Sequence, residues 1–559
     1  MRAFAAALAL LAGTAGARAA ELGFVYVSPN TGNGSGGHAA LVAAGVVYHL
    51  QNEGGLLLLA RDGWPEFELV YRELENRPLT VAHLDVAPET VERVQRAFAR
   101  LRVEQEIALA RRDDVREDVA WLEAFAAGAP TPGLRGAGLV DPARAGDPDA
   151  ARLRERAVGP APLSPPAAEL AGDPTSLREA LLAREADRAL EGSYGLARAA
   201  IAQLPAVLDR PLSEPERAGL ESLCERLERE VAALARSARP DRGYPMLLAQ
   251  ARYLAARRSL SSGRLVTLDV FAGVDPPPDS LPEGVRAKRR AEAAELLRRG
   301  RELVLAAGHT DEADLNLLEE AASAAAHDGR ADLAGPLSEI GLRKLPALAR
   351  SVDAPAPPGD LGAALASARA RFEAQDKQLA ERWSYALVRR NCITELARAT
   401  GGAFGSDAEV AAALGAPVPR GDEPFGFVPF VFFERVRERL RVAAVDELPG
   451  RRAVELERVL AESPGLAARL RESFAYGSTV YEPKLRDSAF LLFTDDVFWR
   501  RPAYGAVNLA FGLGYAGVGL VTAPFDRGAR ALAGLEGALW SLPELGFVNV
   551  RKGTYDWQD

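Results

Sequence analysis

Between residues 22 and 86 the apolar positions come in short runs, "LGFVYVSP", "HAALVAAGVVYHLQ", "GGLLLLAR" and "RPLTVAHLDV", with Gly, Asn and Pro at the joins. Runs of this length bounded by turn residues predict a β-rich segment. From Pro88 the period changes, and "PETVERVQRAFARLRVEQEIALARR" reads as a helix. A Pro-, Gly- and Ala-rich stretch at roughly residues 127 to 175 reads as a flexible insertion. Amphipathic helices rich in Ala, Leu, Arg and Glu follow over 176–350, broken by "DPPPDSLPEG" and without a clean repeat period. "DAPAPPGD", residues 353 to 360, reads as a linker.

A further helix leads through "AQDKQLAERWSYALVRR" into "NCITELARATGG", and "SAFLLFTDD" looks like a strand. The charge-rich "RERLRVAAVDELPGRRAVELERVLAE" reads as two solvated amphipathic helices. Residues 503–523, "AYGAVNLAFGLGYAGVGLVTA", carry no charge over 21 positions, enough to cross a bilayer as a helix. Yet Val507, Leu509, Phe511, Leu513 and Tyr515 alternate with small residues or Asn508, as a strand would. Two readings stay open: the segment crosses a membrane, or it lies buried or on a membrane surface.

Length and charge narrow the class. A chain of 559 residues exceeds one ordinary core and predicts two to four structural units. Lys and Arg number 68 against 77 Asp and Glu, a net charge of -9 with no basic stripe among aromatics, so no nucleic-acid partner is expected. The first residues, "MRAFAAALALLAGTAGARAAELG", have a basic start, an apolar run and a small-x-small site at Ala17 to Ala19. They predict a signal peptide, residues 1–19, and export to the periplasm or outer envelope.

The only cysteines are Cys224 and Cys392, too few for a disulfide scaffold. Cys224 falls on a helical apolar stripe with Leu220, Leu223, Leu227, Val231 and Leu234, where it acts as a small hydrophobe. Cys392 has no such place. Asn391 is a good N-cap and Gly401-Gly402 a good stop, so Cys392 opens a helix. Unpaired amides and the positive end of the helix dipole favour a thiolate there, and Arg389 and Arg390 add to this if they face the sulfur.

A base is available in "SGGHAALVAAGVVYHLQ". If Ala44 and Gly45 form a two-residue turn, Ala40 pairs with His49. His38 and His49 then share a face as diagonal neighbours about 7–8 Å apart. One imidazole can act as base while the other orients it. A three-residue turn would flip His49 to the opposite face and leave Gln51 as the nearer orienting group. Acidic or thiol partners at zinc-ligand spacing are missing. His83, His309 and His327 are expected to be structural.

Taken together, "GSGGHAALVAAGVVYHLQ", "YRELENRPL" and "RRNCITEL" resemble the circularly permuted papain-like superfamily of NlpC-type and lecithin:retinol acyltransferase-like proteins. More narrowly they resemble the N-terminal periplasmic domain of Lnb-type lipoprotein N-acyltransferases. The resemblance covers residues 22 to about 110 and about 370 to 500. It implies Cys392 as nucleophile, His38 as general base and His49 as the third, orienting member. Asn391 would lie near the oxyanion, and the chemistry so implied needs neither a metal nor an organic cofactor. The papain-like unit that the resemblance implies would cover 20–110 and 361–500. With the helical insertion read over 111–360 and the apolar tail, for which membrane association is one reading, over 501–559, the expected fold is α+β.

The expected activity is a cell-envelope thiol acyltransferase or hydrolase working through an acyl-thioester on a lipid or lipoprotein. A cell-wall peptide or amide hydrolase uses the same three residues. A third possibility is a non-catalytic scaffold whose helical insertion binds a partner protein.

Overall fold

The computed structural model describes residues 22–30, 37–159, 177–272, 283–306, 308, 312–328, 348–354, 360–484, 487–495 and 497–555. The expected signal peptide and His309 lie outside them, as does most of the "DPPPDSLPEG" break and of the 353–360 linker. The fold is α+β, with a six-stranded antiparallel sheet, two short two-stranded pairings and many helices among the described residues. The chain divides into two compact units, Met1–Val103 with Trp383–Asp559, and Glu104–Arg382. The inserted unit is thus wider than the 111–360 expected, because its boundaries fall inside the long helices Pro88–Ala127 and Leu361–Trp383. The apolar tail belongs to the first unit rather than standing apart.

The sheet of the first unit holds β1 (Leu22–Val27), β2 (His38–Ala43), β3 (Val46–Glu53), β4 (Leu56–Gly63) and β5 (Leu79–Leu84). A sixth strand, Val442–Leu448, pairs with β5 at the edge, so the order is edge strand, β5, β1, β2, β3, β4. Two tight turns set the register. Ala44 and Gly45 have φ of 49° and 84°, and Gly54 and Gly55 have φ of 58° and 85°. Two successive positive φ values make type I′ turns, whose twist matches that of the strands they join.

Side-chain alternation then builds two cores, one on each face. Phe24, Leu41, Tyr48 and Leu59 face Val94, Phe98, Ile393, Leu396 and Phe432, and Phe24 meets Phe432 edge-on with ring centroids 5.7 Å apart. On the other face Val25, Ala40, Val42, Val47 and Val81 pack with Phe67 and Tyr71. Those two aromatics come from the short helix Trp64–Glu68 and its π-helical continuation Leu69–Leu74.

Several expectations need correction. "RVAAVDEL" contains the edge strand, between the helices Pro429–Arg439 and Arg451–Glu462, rather than part of a helical pair. It buries none of its residues, so it shows no alternation to read. "SAFLLFTDD" forms no strand beyond a single bridge, Phe474 with Leu492. The buried side chain of Asn508 takes the place of a strand neighbour. Its Oδ1 accepts from the amides of Leu491 and Leu492, at 3.0 and 2.8 Å, and its Nδ2 donates to Leu492 O at 2.8 Å. Residues 503–523 lie within a helix, Arg501–Asp526, that folds back on the helix Ala529–Leu545.

The helical unit is cored by residues such as Leu181, Leu182, Cys224, Leu227, Val231, Leu247 and Tyr253. Part of the stretch expected to be flexible belongs to this core, because Leu134, Ala137, Val140 and Leu153 are buried in it. The helix Pro148–Ala157 within that stretch is capped by the Asp147 carboxylate on the amides of Asp149 and Ala150. Three buried arginines each meet a buried carboxylate, Arg242 with Asp187, Arg252 with Glu319, and Arg301 with Glu216.

Candidate active site

The type I′ turn at Ala44-Gly45 pairs Ala43 with Val46 and Ala40 with His49. His38 and His49 consequently share the face that carries Ala40 and Val47, and His38 Nε2 lies 3.1 Å from His49 Nδ1. The alternative in which Gln51 replaces His49 does not apply in this register, where Gln51 pairs with Leu58. Gly37 lets the chain enter β2 at this point. Its φ is 85°, and a Cβ there would lie 2.8 Å from the ring of Tyr26.

The next turn repeats the arithmetic one strand on. Gly54-Gly55 pairs His49 with Ala60 and Val47 with Asp62, which makes Asp62 the diagonal neighbour of His49. His49 Nε2 and Asp62 Oδ2 are 2.7 Å apart, and both residues are buried. Sequence reasoning missed Asp62. The signal was present in the Gly-Gly turn, since the same two-residue count that joins His38 to His49 also joins His49 to Asp62.

The line Asp62–His49–His38 fixes the tautomers. Asp62 as a carboxylate only accepts, so His49 donates from Nε2 and its Nδ1 carries a lone pair. That lone pair takes the N–H of His38 Nε2. His38 Nδ1 is then the basic nitrogen at the open end of the line. Aromatic rings flank the line: Tyr71 stacks on His38 at 5.6 Å, and Phe67 meets His49 edge-on at 5.2 Å.

Cys392 is the first residue of the helix Cys392–Gly402. Asn391 caps that helix, its Oδ1 accepting from the amides of Ile393 and Thr394 at 2.9 and 3.0 Å. Its Nδ2 donates to Leu387 O and Phe427 O at 2.7 and 2.8 Å. Both ends of that side chain are therefore engaged, and Asn391 holds the cap rather than offering a donor to an oxyanion. Ile393 and Leu396 pack on the face opposite the imidazoles. Cys392 and His38 share the start of β2 rather than a face of the sheet. Three neighbours link them: the amide of Ala39 acts on the sulfur, Arg77 acts on both groups, and Tyr71, stacked on His38, is coupled to Cys392.

The electrostatics differ from the thiolate expected of a helix start. Burial pushes the Cys392 thiol up, and the amides of Ala39, Ile393 and Cys392, with Arg77, offset this only in part. The cation acting on the sulfur is Arg77; Arg390 instead lies 3.7 Å from Glu395. Burial, His49 and Arg77 together hold His38 well below the usual imidazole value. The Cys392 thiol and the His38 imidazole are thus each pushed toward the neutral form.

The remaining described histidines have carboxylate partners of their own. His83 sits 2.9 Å from Asp446 on the edge strand, and His327 is 3.2 Å from Asp269 in the helical unit. Among the described residues no cluster of three or more His, Cys, Asp or Glu side chains is arranged to hold a metal. A groove of about 690 Å³ runs beside the Cys392 helix, lined by Val388, Thr394, Ala397 and Phe425 with Arg389 and Arg398 among them. No known protein family, curated protein or solved structure matches this chain.

Proposed function

We propose that the chain is a cell-envelope thiol acyltransferase or hydrolase that works through an acyl-thioester on Cys392, on a papain-like unit of permuted order. The observation that carries this reading is the line Asp62–His49–His38, with His38 opening the strand whose Ala39 amide acts on the Cys392 sulfur. A buried carboxylate in series with two imidazoles is an arrangement that orients and charges a base.

In this reading the Cys392 sulfur attacks an ester or amide carbonyl while its proton passes to His38 Nδ1. His49 and Asp62 stabilise the imidazolium that forms. The backbone N–H of Cys392, at the helix start, faces the developing oxyanion. Collapse of the tetrahedral intermediate breaks the bond to the alcohol or amine, which leaves with the proton from His38. Water or an acceptor amine then attacks the thioester, His38 again taking and returning one proton, and the thiol is restored. Val388 and Phe425, both exposed in the groove beside the Cys392 helix, favour an acyl group among the possible substrates.

The test is direct. The full chain is mixed with a p-nitrophenyl acyl ester or a diacylated lipopeptide, quenched in acid, and Cys392 is examined by mass spectrometry for the added acyl group. An adduct on Cys392 that is absent from His38→Ala supports the reading. An adduct formed from a cell-wall peptide and not from either acyl donor would move the substrate to the peptide class. No adduct, together with alkylation of Cys392 at the rate of an ordinary thiol in both proteins, would sink it.

A further inference from the structure

The C-terminal hairpin, Arg501–Asp526 and Ala529–Leu545, turns its small residues inward and its large ones out. Its seam is closed. A Cβ on Gly512 would lie 2.6 Å from Ala538 N, and one on Gly519 would lie 2.2 Å from Ala531 N. Away from the seam, Leu513, Leu520, Val521, Leu532, Leu535 and Leu539 are all exposed. Only 22% of the most apolar 18-residue window of the first helix is buried, whereas a core helix would be mostly covered.

We infer that the exposed faces of this hairpin enter the hydrocarbon of a lipid bilayer. The charge pattern favours lipid over a protein partner. Pro502 to Phe525 contain no charged residue, a rise of roughly 36 Å at 1.5 Å per residue, against a bilayer core of about 30 Å. Charges gather at the two ends instead, Arg500 and Arg501 at the base and Asp526, Arg527 and Arg530 at the tip. Trp499 stands 83% exposed at the base, beside Phe498 and Phe547, where an interfacial aromatic collar belongs. One side of the hairpin is already covered by its own unit, Ala489 N donating to Ala533 O at 2.8 Å and Tyr476 meeting the Phe511 ring at 5.8 Å, while Leu513, Leu520, Leu532 and Leu535 leave the rest of both legs apolar and exposed. Glu536 is the one acidic group between Arg530 and Glu544.

The inference stands independently of the thiol chemistry. Its test is flotation of the full chain with phosphatidylcholine vesicles, whose zwitterionic surface gives basic residues no advantage. The wild type should float and resist a high-salt wash. Leu513→Asp combined with Leu535→Asp, which leaves the seam untouched, should cut the floated fraction about tenfold. Glu536→Leu should raise it, a direction that misfolding would not mimic if helical content is unchanged by circular dichroism. A wild-type chain that stays behind as a detergent-free monomer would overturn the inference. So would one that forms a dimer of defined size and does not float, since a second copy would then be the occupant.

Discussion

The two cysteines sit in regions that treat buried polarity in opposite ways. Around Cys224, in the helical unit, each buried charge is closed off by its opposite: Arg301 Nε lies 2.7 Å from Glu216, and Arg252 Nε lies 2.8 Å from Glu319. Around the start of β2 in the first unit a buried carboxylate, Asp62, instead meets an imidazole, His49, which in turn meets a second, His38. Closed pairs fix a fold and leave nothing to react. In the proposed reading an open-ended line keeps one protonatable atom poised, and that difference would separate a structural cysteine from a chemical one.

The sharpest way to break the contrast is to remove the sulfur. Cys392→Ala should abolish both the acyl adduct and turnover of the ester, while its thermal midpoint stays within a few degrees of wild type. His38→Ala and Asp62→Asn come next, each slowing acylation by about 10²–10⁴-fold in single-turnover kinetics. The asparagine variant is the more informative. Its amide would donate to His49 Nε2, pass the proton to Nδ1, and so turn His38 into its Nδ1–H form, which cannot accept from the thiol. If Asp62→Asn retains full activity, the tautomer argument fails while the Cys–His pair survives.

The pH dependence follows from directions already fixed. His38 is held below its ordinary value, so it remains a neutral base as pH falls through about 6.5. Acylation should therefore persist below that pH. The same shift contributes stability above the unfolded-state value of about 6.5 and loses it as pH falls through the folded one. The sheet unit should weaken in acid before its base is exhausted. A rate that drops with a midpoint near 6.5 would contradict this.

In the helical unit the buried charges bear on stability. Burial pushes the Glu216 carboxyl up, yet hydrogen bonds from Arg301, the Ser213 amide and Arg210 outweigh it and hold the group at about 2. Its contribution is present above the unfolded value of about 4.3 and is lost as pH falls toward 2, roughly 3 kcal/mol in all. Glu216→Gln leaves Arg301 buried without its charge partner and should cost about 3–5 kcal/mol in denaturant unfolding. Acylation of Cys392 measured below the unfolding transition should not change.

How much of this was legible depended on where a residue's partners lie. The hairpin around Ala44-Gly45 put His38 beside His49 because a two-residue turn fixes every pair that follows. Asp62 was within reach of the same count through Gly54-Gly55. The edge strand escaped because Val442–Leu448 buries no residue and so shows no period. The helix Arg501–Asp526 looked like a strand for a related reason: with apolar residues on almost every side, the helical period vanishes, leaving only an alternation of large and small. The neutrality of Cys392 could not be read from its place at a helix start, since burial, Arg77 and the Ala39 amide come from elsewhere in the chain.

The smallest expected effect lies at Cys224 and closes the contrast from the other side. That thiol is 5% exposed within the apolar stripe of the helix Glu214–Ala235, and burial pushes it up to about 12. Iodoacetamide should leave it unmodified in the folded chain over any pH at which Cys392 reacts, and modify it only once the helical unit is unfolded. Cys224→Ala removes one sulfur from a packed site and should cost about 1 kcal/mol. Acylation of Cys392 should proceed at the wild-type rate. If Cys224→Ala slowed acylation while the fold held, the two regions would be energetically coupled, and the helical unit would have a part in the chemistry rather than in the architecture alone.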